Sequence, residues 1–124
     1  MKLKFDNYEN NELLYIELSG RGIRDMDSVS DGFLILAGPV GDGDATYQLY
    51  HWNGKDIIPG KDRKAVDIGR IRLLEEIDPP QDGKAEGVVV MKEKISSYQL
   101  IIAYDSVMNK KKILQNFCIS KPDH

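Results

Sequence analysis

The sequence has one cysteine, Cys118, among its 124 residues. A single thiol cannot form an internal disulfide, and it leaves no cluster of thiolates to hold zinc. Disulfide-stabilised scaffolds and zinc modules are therefore excluded. We expect Cys118 to serve as a small apolar residue of the last strand.

A clustered basic face is missing as well. The formal net charge is −3, and the lysines are scattered apart from the run Lys110-Lys111-Lys112. A face that follows a phosphate backbone needs a basic stripe or patch, which this chain does not have. Nucleic acid is therefore not an expected partner.

Long apolar runs are missing too. No stretch approaches the roughly 20 apolar residues that span a bilayer, and residues 1–6 lack the apolar segment of a signal peptide. We expect no membrane association, and a cytoplasmic location if Met1 is the native start. The hydrophobic content of 41% and the charged content of 30% are those of an ordinary globular chain. A single domain over residues 1–124 is predicted.

Histidine is scarce, with only His51 and His124 present. Neither a metal cluster nor a Ser/His/Asp set can be assembled from them, so no metal and no cofactor is predicted. In a strand over residues 47–52, His51 would share its face with Tyr47 and Leu49. Tyr50 and Trp52 would then point to the opposite face. We therefore expect His51 to be a packed histidine of the strand. We also expect the aromatic residues Tyr47, Tyr50 and Trp52 to pack in the core, which is the default interpretation of such residues.

Strand signals dominate what is present. Short apolar or β-branched segments alternate with Gly, Asp, Asn and Pro, as in antiparallel all-β proteins. The eight candidate strands are residues 12–18, 22–28, 33–37, 47–52, 65–68, 86–91, 98–104 and 112–119. The spacing of Ile71, Leu74 and Ile77 predicts instead a brief helical turn over residues 70–77. No long helix is predicted.

An internal repeat is suggested by two landmarks. Gly22-Ile23 precedes the apolar run 33–36 in the same way that Gly87-Val88 precedes the run 99–102, about 65 residues later. This order resembles the inner strands of a propeller blade. We therefore predict propeller-like antiparallel sheets forming about two four-stranded blades, with repeat units at about 12–69 and 85–119. Two ordinary hairpins, or a compact barrel or sandwich, are the alternatives.

The eight candidate strands do not divide into two complete blades. One strand precedes the first set of four, and the second set has only three. Open strand edges invite pairing with another chain, and repeat units of this kind usually need three or more copies. We expect self-association through strand edges, with residues 12–18 completing the second blade of a neighbour. A fragment of a longer propeller is the alternative.

Several segments together resemble the C-terminal part of an uncharacterised bacterial family of unknown function, whose full-length members are predicted propellers. The matching segments are Gly22-Ile23-Arg24-Asp25-Met26 and residues 33–39, 47–52, 85–87 and 104–106. The resemblance covers roughly residues 12–119 and implies a propeller-like fold in a chain shorter than other members. It brings no reaction, cofactor or catalytic residue.

The most suggestive charged pair is Arg24-Asp25, which stands between Ile23 and Met26. Burying two charges is costly unless each is paired or faces a ligand. An Arg24 facing a central channel could hold a small anionic ligand through a carboxylate or phosphate. The alternative is a structural ion pair with Glu86 or Asp105.

Two functions of different classes fit these residues. The first is a binding or interaction module without catalysis, in which Arg24, Asp25, Glu86 and Asp105 are candidate ligand-binding residues. The second is a hydrolase of phosphate or carboxylic esters, with Arg24 holding the anion and Glu86 or Asp105 acting as acid or base.

Overall fold

The computed structural model describes residues 2–4, 13–15, 18, 20–39, 46–55, 70–80, 83–106 and 111–122. Within these ranges the chain forms nine strands and no helix. The strands are β1 (Lys2–Lys4), β2 (Leu13–Tyr15), β3 (Gly22–Val29), β4 (Gly32–Gly38), β5 (Tyr47–Trp52), β6 (Ile71–Ile77), β7 (Gly83–Glu93), β8 (Ser97–Ser106) and β9 (Lys111–Ser120). The described part of the chain holds no helix that could span a membrane.

The strands form two main antiparallel sheets, which confirms the all-β prediction. A four-stranded sheet has the order β3-β4-β5-β6, and a three-stranded sheet has the order β7-β8-β9. Successive strands are neighbours throughout, as expected for short hairpin connections. In the short third sheet, β2 pairs with β1 of the same chain. The candidate strand at 65–68 lies outside the described residues.

The helical turn predicted over residues 70–77 is wrong, because this segment is strand β6. Leu73 lies opposite Tyr50 and Glu75 lies opposite Leu49, so Leu74 is an extra residue, a β-bulge. The bulge changes which face the following side chains occupy. Ile71 therefore packs with one core cluster, whereas Leu74 and Ile77 belong to the other. The bulge explains why Ile71, Leu74 and Ile77 are spaced three residues apart, as in a helix, although the segment is a strand.

The larger core cluster lies between the two main sheets. The four-stranded sheet contributes Leu34, Leu36, Tyr47, Leu49 and Ile77, and the three-stranded sheet contributes Ala85, Val88, Tyr98, Leu100, Ile102, Tyr104 and Ile119. Each fully buried large apolar side chain stabilises the fold by about 1.5–3 kcal/mol. This shared core holds the two sheets together.

A second cluster covers the opposite face of the four-stranded sheet. It contains Leu18, Ile35, Ala37, Tyr50 and Trp52, with the Phe33 ring 5.5 Å from that of Trp52. Strand β4 is thus buried on both faces, as its continuous apolar run predicts. The aromatic residues of β5 are core residues, in agreement with the default interpretation.

Among the described residues, only one face of the three-stranded sheet is covered in this way. Along β8, Tyr98, Leu100 and Ile102 are buried while the residues between them are only partly covered. On the outer face of this sheet, Val89, Met91 and Leu114 are more than half exposed, at 53%, 62% and 64%. The protein therefore presents an apolar sheet face that no described residue covers.

Candidate functional site

Arg24 lies at a β-bulge of β3, which explains how a charge stands between two apolar residues. Ile23 pairs with Ala37 and Asp25 with Leu36, so Arg24 has no residue opposite it. Ile23 and Met26 consequently pack on the same cluster although they are three residues apart. Arg24 itself is exposed, donates from Nη2 to the carbonyl oxygen of Pro39 at 2.8 Å, and lies 6.0 Å from the ring centre of Tyr47.

Asp25 and Asp27 point the other way and join the two sheets. The Oδ2 atom of Asp25 accepts the backbone N–H of Val88 at 2.9 Å, and Oδ2 of Asp27 accepts that of Val90 at 2.7 Å. Both bridges join residues 63 positions apart, so β3 and β7 lie side by side in the same direction. The two carboxylates thus satisfy backbone donors at the edge of β7, where a neighbouring strand would otherwise do so.

Glu86 lies near the beginning of β7, two residues before Val88, and Asp105 lies near the end of β8. Glu86 is an extra, bulged residue between Ala85 and Gly87, and its Oε2 is 3.9 Å from Nζ of Lys112 in an exposed ion pair. Asp105 stands between Lys84 and Lys112 in the ladder. Within the described ranges, no ion pair joins Arg24 to either carboxylate. Arg24, Asp25 and Glu86 each contact another group of the protein, and their joint binding of a ligand stays a prediction.

A polar cluster that the sequence did not indicate surrounds the β3–β4 turn. The hydroxyl of Tyr98 donates to Oδ1 of Asp31 at 2.9 Å, and Nε2 of His51 is 3.3 Å from the same oxygen. The His51 and Tyr98 rings are nearly parallel, with their centres 6.4 Å apart. Burial alone would raise the pKa of Asp31, but the Tyr98 hydroxyl and the nearby His51 outweigh it and hold that pKa below its ordinary value. Burial and the same contact raise the pKa of Tyr98.

Ser30, the residue before Asp31 in the turn, is hydrogen-bonded to Glu93 at the end of β7. The backbone N–H of Ser30 donates to Oε1 of Glu93 at 2.9 Å, and the Ser30 hydroxyl donates to Oε2. Lys121, just after β9, donates from Nζ to the same Oε2 at 2.8 Å. The hydrogen bond from Lys121, followed by those from Ser30, lowers the pKa of Glu93 to about 2. The β3–β4 turn is therefore bonded directly to β7 and β8, and Lys121 supports the contact with β7.

This contact predicts a loss of stability in acid. The pKa of Glu93 is about 2 in the folded protein, against an ordinary 4.5. Its contribution is therefore complete above about pH 4.5 and is lost as the pH falls towards 2. We expect Glu93→Gln to reduce the drop in unfolding temperature between pH 5 and pH 2.5, and Lys121→Met to do the same. A variant whose melting curves follow those of the wild type across this range would contradict the assignment.

Asp27, Ser30, Asp31, Glu93, Tyr98 and Lys121 are absent from the predicted site because most of their partners lie more than 25 residues away along the chain. The alternation Asp25-x-Asp27 in a strand is the one local signal, since it puts two carboxylates on one face. The hydrogen bonds of Asp27, Ser30 and Asp31 to β7 and β8 bridge the two sheets. Among the described residues, no group of three or more His, Cys, Asp or Glu side chains is placed to hold a metal ion. We therefore interpret this polar cluster as a set of structural contacts that hold the two sheets together.

The two outer strand edges differ in how they are protected. Strand β6 carries Arg72, Glu75 and Glu76, contains a bulge and is followed by Pro79-Pro80, all of which discourage pairing with another chain. Strand β9 pairs with β8 in an unbroken register from Lys111 to Ser120. Residues 113–120 contain no charge and no proline. Of the two edges, only β9 lacks the usual protection.

A shallow groove crosses the three strands of this sheet. It has a volume of about 530 Å³ and is lined by Met91, Gln99, Leu100, Ile101, Asn116, Phe117 and Cys118. Cys118 is in the last strand, as predicted, but it is exposed. On the inner face of β9, Ile113 and Phe117 pack against the main core and are only partly buried. The side of the molecule formed by β9 is therefore an incompletely covered apolar region.

The fold and these contacts can be set beside known proteins. No curated protein matches the chain, and no solved structure matches it either. The family described as Protein of unknown function (DUF3616) matches residues 2–119, which is nearly the whole chain. This chain belongs to that uncharacterised family, DUF3616.

Proposed function

We propose that this protein is a non-enzymatic interaction module, built from two propeller-like sheets, that associates with further copies through an exposed strand edge. The observation that carries the proposal is the unprotected edge of β9. The three-stranded sheet has one strand fewer than its neighbour. A strand added beside β9 would give both sheets four strands and would cover Ile113 and Phe117, which are partly buried in this structure.

The propeller-like part of the proposal is supported by the way the two sheets correspond. Gly22 lies opposite Gly38 in the first sheet, and Gly87 lies opposite Ala103 in the second. Each residue of the second pair is about 65 positions after its counterpart, the same offset as in the sequence landmarks. The innermost strands β3 and β7 run in the same direction and share hydrogen bonds. Successive blades of a propeller place their innermost strands in this way.

The ester hydrolase is the competing function, and no specific observation favours it. That activity requires Arg24 and either Glu86 or Asp105 around one substrate. In the described residues, Arg24 contacts Pro39 and Tyr47, and Glu86 lies near Lys112. The assignment of Arg24, Asp25, Glu86 and Asp105 to an anionic ligand stays a prediction.

The native mass in solution tests the proposal. The chain has a mass of 14.0 kDa. Light scattering on a sizing column is expected to give a symmetric oligomer, because an open edge and an uncovered apolar face favour association. A mass of 14.0 kDa that does not rise with concentration would contradict self-association.

A further inference from the structure

We infer that β9 pairs antiparallel with β9 of a second copy across a two-fold axis, which joins the two three-stranded sheets into one sheet of six strands. The inference rests on the proposed self-association and names the contact that produces it. Four strand edges of the two main sheets could in principle accept another strand. The edges of β3 and β7 are joined by Asp25 and Asp27, and β6 is protected by charge. Of these four edges, the edge of β9 is therefore the one available for pairing with another strand.

The charges of β9 determine the direction of pairing. Lys111 and Lys112 stand at its beginning, and both are exposed. A parallel arrangement would set these lysines against those of the second copy, and like charges directly opposite each other are destabilising. An antiparallel arrangement places the two lysine pairs at opposite ends of the shared ladder. The strand is thus complementary to itself in only one direction.

The alternation of faces then limits the register. A two-fold axis normal to the sheet keeps inner-face residues opposite inner-face residues, so one residue must lie opposite its own copy. With Gln115 at the axis, Ile113 lies opposite Phe117 of the second copy, and this apolar pair occurs twice. Lys111 and Lys112 then face Ile119 and Cys118. With Asn116 at the axis, Lys111 would face Lys121 instead, which is unfavourable.

The contacts of Gln115 suit this position. Its Oε1 accepts the Tyr104 hydroxyl at 2.7 Å, which orients the side chain on the inner face. The amide N–H groups can donate across the axis to the same oxygen of the second copy. Ile113 and Phe117, which flank Gln115 on this face, extend the main core at its open side. The pairing therefore continues the core from one copy into the other.

Disulfide trapping tests the register. Directly opposed residues of an antiparallel pair have Cα atoms about 4.5–5.5 Å apart, within the range that a disulfide spans. In a Cys118→Ser background, Gln115→Cys is expected to give a covalent dimer in high yield under mild oxidation. Ser120→Cys in the same background is the matched control, because its copies would lie about 33 Å apart. The pair Leu114→Cys with Asn116→Cys, opposed across the axis, is a second trapping variant should Gln115→Cys fold poorly.

The outcomes separate this inference from the proposed function. A covalent dimer with Gln115→Cys and none with Ser120→Cys supports the β9 pairing. A wild-type oligomer without trapping at either the 115 or the 114/116 positions, or with equal trapping at 120, overturns the pairing and leaves self-association standing. A wild-type monomer overturns both.

Discussion

Replacing Asp25 and Asp27 together by alanine is expected to lower the free energy of unfolding by about 3–5 kcal/mol. Each carboxylate accepts one backbone N–H of β7, in a partly buried position. A hydrogen bond to a charged group contributes about 1.5–3 kcal/mol, and its loss leaves the N–H of Val88 or Val90 without that partner. The loss is a large share of a typical stability of about 5–15 kcal/mol. Urea unfolding followed by tryptophan fluorescence of Trp52 measures it.

Two variants complete this experiment. Asp25→Asn with Asp27→Asn keeps an acceptor oxygen at each site and is expected to lose less than the alanine pair. Glu86→Ala removes an exposed carboxylate whose ion pair spans 3.9 Å, so a change within about 0.5 kcal/mol is expected. If the alanine pair were as stable as Glu86→Ala, the carboxylates would not be holding the sheets together.

Gly32→Ala is expected to abolish folding or to cost more than about 3 kcal/mol. Gly32 follows the turn between β3 and β4 and has a φ of 140°, which side-chain-bearing residues rarely adopt. A Cβ at this position would overlap the carbonyl oxygen of Trp52 and lie 2.9 Å from Cα of Asn53. Both of these are backbone atoms at the end of β5, so no side-chain movement relieves the overlap.

Gly20→Ala is the matched control for this substitution. Gly20 also has a positive φ, of 78°, but a Cβ at this position would meet no atom within 4 Å beyond its chain neighbours. The backbone conformation alone costs about 1–2 kcal/mol. Thermal unfolding of both variants separates the overlap from the conformation. Equal losses at the two positions would show that the close approach of β5 to Gly32 is not a constraint.

Most strands could be predicted from the sequence because their signals are local. The apolar run ending at Ala37 and the aromatic segment that ends at Trp52 are bounded by glycine, proline or asparagine. The misassigned strand β6 shows where such signals stop. A bulge at Leu74 adds one residue to the strand, and nothing within the strand's own residues distinguishes that bulge from a helical turn.

The candidate site was less predictable for the same reason. Arg24 was selected because a charge among apolar residues suggests burial, and a bulge instead leaves it exposed. Asp25 was selected as a ligand-binding residue, and its carboxylate accepts a backbone N–H that lies 63 positions later in the chain. Contacts at such separation depend on how two sheets pack. No spacing within one strand encodes them, so the fastening at Asp31 and Glu93 had no local signal.

The strand edges differ from the candidate site, because here the sequence predicted a general property and the structure identifies the strand that carries it. Counting strands predicted that open edges would exist. Only the structure distinguishes a protected edge at β6 from an unprotected one at β9. The apolar outer face with Met91 and Leu114 adds a second uncovered surface on the same sheet. We therefore place the proposed association on this sheet.

The native mass of the wild type and of Gln115→Lys, measured by light scattering over a range of concentrations, tests that claim most directly. For the wild type we expect a dimer of about 28 kDa, twice the chain mass of 14.0 kDa. Gln115→Lys would place two like charges at the axis and is expected to shift the protein towards monomer, whereas Glu75→Lys on the β6 edge leaves the dimer intact. A wild-type chain that stays at 14.0 kDa at every concentration would contradict the account.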